Sequence, residues 1–154
     1  MARLEYRILD ENRGFPILYY YESIGQDEIL MRFCCDYFVK DGIVFEKTSC
    51  SVEMNACIIY VLPAEEEQVV ETEAVRNPHH KIRLELREFQ EDTAHYPILH
   101  TFEFPEPLEA LLHLQSDRLF HNGRTWVKTS TEIDEDRKAY VYYAQPEATP
   151  TEQE

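Results

Sequence analysis

The chain has 154 residues and a net charge of −15 at pH 7, from 15 Lys and Arg against 30 Asp and Glu. Its hydrophobic share of 44% and aromatic share of 12% are typical of a folded domain with a core. No segment is basic, so the phosphates of nucleic acid and an anionic membrane surface would both repel it. We therefore expect no direct nucleic-acid binding and no membrane association, and the charge favours a basic protein as partner.

In the first part of the chain, apolar and polar residues alternate as in half-buried strands, and one segment has helical spacing. Ser23-Ile-Gly-Gln26 has the form of a capping box, which predicts a helix from about Gln26 to Cys35. Asp41-Gly42 between apolar residues predicts a type I′ hairpin turn. The predicted strands are Arg3–Ile8, Ile17–Glu22, Tyr37–Val39, Ile43–Val52 and Cys57–Leu62.

The later part of the chain predicts similar elements in the same order. Pro105 and Pro107 fit the first turn of a helix that ends near Ser116. The predicted buried stripe of this helix is Leu108, Leu111 and Leu112. The strands predicted here include Ile82–Leu86, Ile98–Phe104 and Lys138–Tyr143, with Asn122-Gly123 as a hairpin turn.

A ten-residue stretch occurs twice, at a spacing of 81 positions. Residues 40–49 read KDGIVFEKTS and residues 121–130 read HNGRTWVKTS, so the turn, an aromatic position and the Lys-Thr-Ser ending recur. The same register, continued without a gap, aligns Pro-Ile-Leu at 16–18 with Pro-Ile-Leu at 97–99. We therefore predict an internal duplication within one compact domain. Its parts are copy one (1–62), an acidic linker (63–81), copy two (82–145) and a disordered acidic tail (146–154).

Each copy is predicted to have the order β-β-α-β-β-β. A segment of roughly 60 residues buries little surface on its own, so we expect the two copies to share one core. The predicted fold class is α+β, a pseudo-two-fold antiparallel sheet domain with two helices packed on the sheet.

Cysteine usage bears on the cellular compartment and on cofactors. The four cysteines are Cys34, Cys35, Cys50 and Cys57, and copy two has none. A disulfide framework is therefore not expected, and the N-terminal residues lack the apolar stretch of a secretory signal. These features predict a cytoplasmic location with reduced thiols. No Cys-x-x-Cys or His-x-x-x-His spacing occurs, so we expect no metal site and no cofactor.

The recurring Lys-Thr-Ser sequence supplies the candidate binding residues. Lys47 and Ser49 are expected on one face of their strand, with Phe45 two residues upstream on the same face. A two-fold axis would bring them together with Trp126, Lys128 and Ser130 in an anion-binding groove floored by the two aromatic rings. The structural alternative is that Lys and Ser cover a solvent face while Thr serves strand propensity.

No catalytic motif is present, because a nucleophile elbow is lacking and the four glycines are isolated from one another. We expect a non-enzymatic interaction or regulatory module that binds another protein. The alternative is a small-ligand binder or enzyme that uses the groove between the two copies. A further alternative, mimicry of nucleic acid, requires carboxylates spaced along one surface.

Overall fold

The computed structural model describes residues 2–64, 81–93 and 95–148. Residues 65–80 of the predicted linker and 149–154 of the predicted tail lie outside the described residues. The first elements are β1 (Ala2–Ile8), a 3-10 turn (Glu11–Arg13), β2 (Ile17–Ile24), α1 (Gln26–Phe33), β3 (Tyr37–Lys40), β4 (Ile43–Val52) and β5 (Cys57–Pro63). They are followed by β6 (Ile82–Glu88), β7 (Ile98–Phe104), α2 (Pro107–Gln115), β8 (Arg118–His121), β9 (Arg124–Asp134) and β10 (Ala139–Pro146).

These strands form one mixed, ten-stranded sheet, so the protein is mixed α/β and dominated by its sheet. The order is β2-β1-β5-β4-β3-β9-β10-β6-β7, and β8 pairs with the first part of β9. Three pairs are parallel, namely β1–β5, β6–β10 and β3–β9. The prediction of an antiparallel sheet was therefore wrong in these pairs. Alternation along a strand shows which residues share a face but carries no information on the direction of a distant neighbour.

We refer to β1–β5 with α1 as the first half and to β6–β10 with α2 as the second half. Their strand orders, β2-β1-β5-β4-β3 and β7-β6-β10-β9-β8, correspond strand for strand, and so do the relative directions. Because β3 is antiparallel to β4 and parallel to β9, corresponding strands of the two halves run in opposite directions. A half-turn about an axis normal to the sheet therefore relates the two strand arrangements.

Both helices pack on one face of the sheet, here named the helix face, and they contact each other. A continuous apolar core joins them to strands of both halves, with Tyr6 and Tyr142 among its fully buried members. The opposite face, here named the second face, carries a smaller cluster around Val141 and Tyr143. The two faces therefore offer separate surfaces for function.

The helix faces differ from the expected ones. Ser23 lies in β2, and the N-cap residue of α1 is Gly25, which has no side chain to cap the helix. In α2 the buried residues are Ala110 and Leu114, while Leu108 is 74% exposed and Leu112 is 68% exposed. The predicted leucine stripe was therefore wrong at these two positions, because the helix turns its small residue towards the sheet.

The two hairpin turns agree with the sequence prediction. Asp41 and Gly42 have φ angles of 54° and 75°, and Asn122 and Gly123 have φ angles of 52° and 78°. Positive φ at both central residues defines a type I′ turn, which Gly and Asn tolerate best. The turns fix the register of β3 with β4 and of β8 with β9 in the same way.

A β-bulge follows each of these turns, at Thr48 in β4 and at Thr129 in β9. Beyond the bulges, Ser49 pairs with Tyr60 and Ser130 pairs with Tyr143. The spacing between the halves thus grows from 81 to 83 across the last hairpin, because Ile133 and its partner Tyr140 are two residues further apart along the chain than Val52 and Cys57. The 81-residue register found in the sequence therefore does not continue through the final strand.

Candidate binding sites

The two lysines of the repeated Lys-Thr-Ser sequence each reach the end of a helix. Lys47 Nζ donates a hydrogen bond to the carbonyl oxygen of Phe33 in α1, and Lys128 Nζ donates one to Leu114 O in α2, at 3.1 Å. The last carbonyls of a helix lack backbone donors and carry the negative end of its dipole, so a lysine there is stabilising. The lysine of the repeated sequence therefore makes the same structural contact in both halves.

The aromatic residues of the predicted groove are buried in the core. Phe45 is 4% exposed and Trp126 is 5% exposed, and both belong to the apolar cluster on the helix face. Neither ring is available as the floor of an open anion-binding groove. The structure therefore does not bring the predicted residues together as one exposed patch.

Ser49 and Ser130 lie on the other side of the sheet from the lysines. Each bulge inserts one residue between lysine and serine, which reverses the alternation of faces. The expectation that Lys and Ser share a face was wrong for this reason. A binding role for Phe45, Lys47, Ser49, Trp126, Lys128 and Ser130 stays a prediction, and of these Ser130 lines a cavity of the second face.

This second-face cavity has a volume of about 200 Å³ and lies where β3 and β4 meet β9 and β10. Four of its eight described lining residues are aromatic. The rings of Phe89 and Tyr96 stack with centroids 5.6 Å apart, and Tyr143 meets Tyr96 edge-on at 5.2 Å. The described residues that line it are Tyr37, Val44, Phe89, Tyr96, Thr129, Ser130, Glu132 and Tyr143.

Glu132 is the carboxylate of the second-face cavity, and only 6% of the residue is exposed. The hydroxyl of Tyr143 donates a hydrogen bond to its Oε2 at 3.1 Å. Burial, together with the negative charge of Asp134, raises the pKa of Glu132 to about 7. No cationic side chain of the described residues lies within ion-pair distance of it. Near neutral pH this group therefore exists in both protonation states.

Glu85, a second buried carboxylate in the same half, has the opposite environment. Its oxygens pair with Arg87 at 2.9 Å and with Arg137 at 2.8 Å. Burial disfavours the charged form of Glu85, but hydrogen bonds from Arg137 and the charges of both arginines hold its pKa below the usual value. The contrast shows that Glu132 is buried without the compensation that Glu85 receives.

A larger cavity, of about 580 Å³, lies on the helix face between the two halves. Arg32 of α1 and Tyr140 of β10 form part of its wall, and both are at least nine-tenths buried. Arg32 makes an ion pair with Glu135 of the β9–β10 connection at 2.7 Å, which ties the first half to the second. This cavity lies between the two halves, and none of the residues predicted for the groove lines it.

The sequence did not single out Glu132, Arg32 or the cavity tyrosines, because acidic residues, basic residues and tyrosines are all frequent in this chain. A comparison of the two copies contains a usable signal. In the aligned stretches Ser51 stands opposite Glu132, and His113 stands opposite Arg32. Both positions differ in charge between the aligned stretches, and both line a cavity in only one half. Among the described residues, no group of three or more His, Cys, Asp or Glu is placed to hold a metal ion.

Comparison of the chain with protein-family models, with curated proteins and with solved structures gave no match. Neither α1 nor α2 has the length and hydropathy needed to cross a membrane. The fold and the two cavities define a mixed α/β protein with one aromatic, carboxylate-bearing cavity and one arginine-bearing cavity on opposite faces of a single sheet.

Proposed function

We propose that the protein is an interaction module that takes a lysine or arginine side chain of a basic protein partner into the second-face cavity. The observation that carries this proposal is the buried carboxylate of Glu132, which makes no ion pair with a described residue and lies within a partly aromatic wall. A carboxylate kept in such a place costs stability at neutral pH, and binding sites are where such costs are retained.

The chemistry of the wall supports a cationic guest. The face of an aromatic ring attracts ammonium and guanidinium groups, and the attraction grows when water is excluded. Tyr37, Phe89, Tyr96 and Tyr143 supply such rings, and Glu132 supplies the opposite charge. A volume of about 200 Å³ is below the roughly 300–1,000 Å³ of sites for whole small molecules. The end of one side chain is a better match to this volume.

The pKa of Glu132 links binding to protonation. An entering cation stabilises the charged carboxylate, so it lowers the raised pKa and releases a proton in the neutral range. Affinity for a cation should therefore rise with pH between about 6 and 8. The net charge of −15 supports the same class of partner, because it accelerates encounter with a basic protein at low ionic strength.

The alternative function, a small-ligand binder or enzyme using Lys47, Lys128 and Trp126, has less support. Each lysine contacts a helix end, and Trp126 is buried. The absence of direct nucleic-acid binding and the cytoplasmic location stay predictions from composition.

We also propose that the two halves arose by duplication of one β-β-α-β-β-β unit. The shared strand order supports this, and so do the matching bulges at Thr48 and Thr129 and the matching contacts of Lys47 and Lys128. An experimental structure in which the halves differed in strand order, or in which only one half had the bulge, would contradict the duplication.

The test of the cation site is a titration with a short peptide carrying one lysine among glycines and serines, compared with the same peptide acetylated on the lysine. We expect the lysine peptide to bind and the acetylated peptide to bind at least tenfold more weakly, since acetylation removes the charge. Wild-type affinity should rise about tenfold from pH 6 to pH 8, following the ionisation of a group with a pKa of about 7.

The decisive variant is Glu132→Gln, which keeps the size of the side chain and removes its charge. It should weaken peptide binding about tenfold at pH 8 and flatten the pH profile, because a charge-assisted contact is lost. Glu103→Gln is the matched control. Glu103 is exposed on β7, and this substitution changes the net charge by the same amount as Glu132→Gln. Equal affinities of wild type and Glu132→Gln at pH 8 would refute the proposed site.

A further inference from the structure

The guanidinium of Arg32, which lines the helix-face cavity, is only partly hydrogen-bonded. Nη2 of Arg32 donates to Glu135 Oε2 at 2.7 Å and to Glu28 Oε1 at 3.3 Å. Nη1 faces the hydroxyls of Tyr6 at 3.3 Å and Tyr21 at 3.5 Å. Nε is buried and has no hydrogen-bond partner. A guanidinium presents Nε and Nη2 as one edge that matches the two oxygens of a carboxylate, and here only half of that edge is used.

Tyr140 adds a second unfulfilled donor to the same cavity. The residue is only 5% exposed, and its buried hydroxyl has no hydrogen-bond partner. Tyr140 lines the cavity, and buried polar groups are nearly always satisfied, so its orphaned hydroxyl is a donor for an acceptor that enters the cavity. Arg32 and Tyr140 come from different halves, which places this acceptor between them.

The described lining of the helix-face cavity contains more basic side chains than carboxylates, in a chain whose net charge is −15. The basic residues are Arg32, Lys81, Arg83 and Lys138, and the acidic residues are Glu28 and Glu135. The rest of the wall includes Ile24, Met31 and Ile133, so the cavity also offers apolar surface. Its volume of about 580 Å³ falls within the roughly 300–1,000 Å³ of small-molecule sites.

We propose that the helix-face cavity binds a small organic carboxylate with an apolar body, held side-on by the Nε–Nη2 edge of Arg32 after displacement of Glu28. Glu28 is the displaceable partner because its side chain is 43% exposed and its contact is the longer of the two. Glu135 is buried and stays with Arg32. The ligand carboxylate then satisfies Nε and accepts from the hydroxyl of Tyr140.

The Arg32 site has no equivalent in the second half. The position of Arg32 in α2 is held by His113, whose ring packs against Phe102 and Phe104. Glu109 of α2 corresponds to Glu28 and is exposed. Carboxylate binding is therefore expected at Arg32 and not at the equivalent place on α2, which makes Glu109 a matched control.

The test is isothermal titration of the full chain with benzoate, with benzyl alcohol as neutral probe and inorganic phosphate as an anion without an apolar body. We expect saturable binding of one benzoate per chain, with both other probes at least tenfold weaker. Glu28→Gln should tighten benzoate binding about tenfold, because the competing charge at Arg32 is removed. Tyr140→Phe should weaken it several-fold by removing one hydrogen-bond donor.

Glu109→Gln should leave benzoate affinity unchanged within twofold, although it alters the net charge by the same amount as Glu28→Gln. Absence of saturable benzoate binding to Glu28→Gln would overturn the proposal. Equal tightening by the two variants would also overturn it, because it would show a general charge effect instead of a site at Arg32.

Discussion

Each half has a buried glutamate on the second face, and the two halves pair its charge with arginine in different ways. In the first half, Glu5 of β1 pairs with Arg3 and Arg7, whose side chains remain 29% and 27% exposed. In the second half, the corresponding Glu85 pairs with Arg87 and with Arg137, and all of these side chains are buried. Arg137 comes from the β9–β10 connection, in a hairpin that is two residues longer between equivalent pairs than the β4–β5 hairpin. The longer hairpin thus supplies the arginine that completes the buried ion pair of Glu85.

The two halves also differ at the second-face cavity. Where the first half has Ser51, the second half has Glu132, whose charge is not paired. Tyr60 and Tyr143 hold equivalent places, but Tyr143 bonds a carboxylate while Tyr60 meets the ring of Phe15. Equal topology therefore does not imply equal chemistry at corresponding positions.

The largest expected effect comes from breaking the buried ion pair. Glu85→Gln leaves Arg87 and Arg137 buried beside a neutral amide, which should lower the free energy of unfolding by roughly 3–5 kcal/mol. Glu5→Gln should cost less than half as much, because water solvates its arginine partners. Urea denaturation of both variants measures the difference. Equal losses would show that the exposure of the arginine partners does not affect the stability that each glutamate contributes.

Glu132→Gln should act in the opposite direction and depend on pH. Since the folded-state pKa of Glu132 is raised to about 7 from 4.5, the native state binds this proton more tightly than the unfolded state does. Its contribution to stability is complete below pH 4.5 and is lost as pH rises through 7. The glutamine variant should therefore be more stable than wild type by up to about 3 kcal/mol at pH 8 and nearly equal to it at pH 4.

Thermal or urea unfolding across that pH range tests the sign of the effect. Ser51→Ala, at the corresponding place in the first half, provides the comparison and should show no such pH dependence. A Glu132→Gln variant that is less stable than wild type at pH 8 would mean that the carboxylate is compensated after all.

The lysines of the two halves should behave alike. Lys47→Met and Lys128→Met keep an apolar stem and remove the donor to the last carbonyls of α1 and α2. Each should lower the free energy of unfolding by roughly 1 kcal/mol, the usual size of a cation at a helix C-terminus in a partly buried site. Chemical denaturation measures both. Unchanged stability combined with lost partner binding would instead favour the anion-binding role predicted from the sequence.

Much of the fold was accessible from the sequence because its signals are local. The strands, the two helices and the turns at Asp41-Gly42 and Asn122-Gly123 follow from alternation, spacing and positive-φ preferences. The parallel pairing of β1 with β5 was not accessible, since it joins strands that are distant along the chain. The bulge at Thr48 was also hidden, because threonine fits a regular strand as well as a bulged one.

The candidate sites were less accessible for a related reason. Burial, not residue type, distinguishes Glu132 from the other acids of this chain, and burial depends on which strands meet above a position. Arg32 resembles any helical arginine until α1 is packed beside Glu135. The comparison of the copies in sequence does contain the charge differences at these positions, and structure is needed to show that they face cavities.

The smallest expected effects concern the two hairpin turns and test how far the halves are equivalent. Gly42→Ala and Gly123→Ala each place a Cβ at a φ of 75° or 78°, with no atom within 4 Å to clash with it. Only backbone strain remains, so each should cost about 1 kcal/mol in unfolding free energy.

One contact distinguishes the turns, because the backbone N–H groups of Asp41 and Gly42 donate to the carboxylate of Asp136 at 2.7 and 2.9 Å. Asp136→Ala should therefore weaken only the first turn, by up to about 1 kcal/mol, since these hydrogen bonds are exposed to water. Amide hydrogen exchange at residues 41–43 and 122–124 resolves the two turns. Faster exchange confined to 41–43 in Asp136→Ala is the expected result, and equal acceleration at both turns would show that Asp136 stabilises the sheet as a whole and not that hairpin.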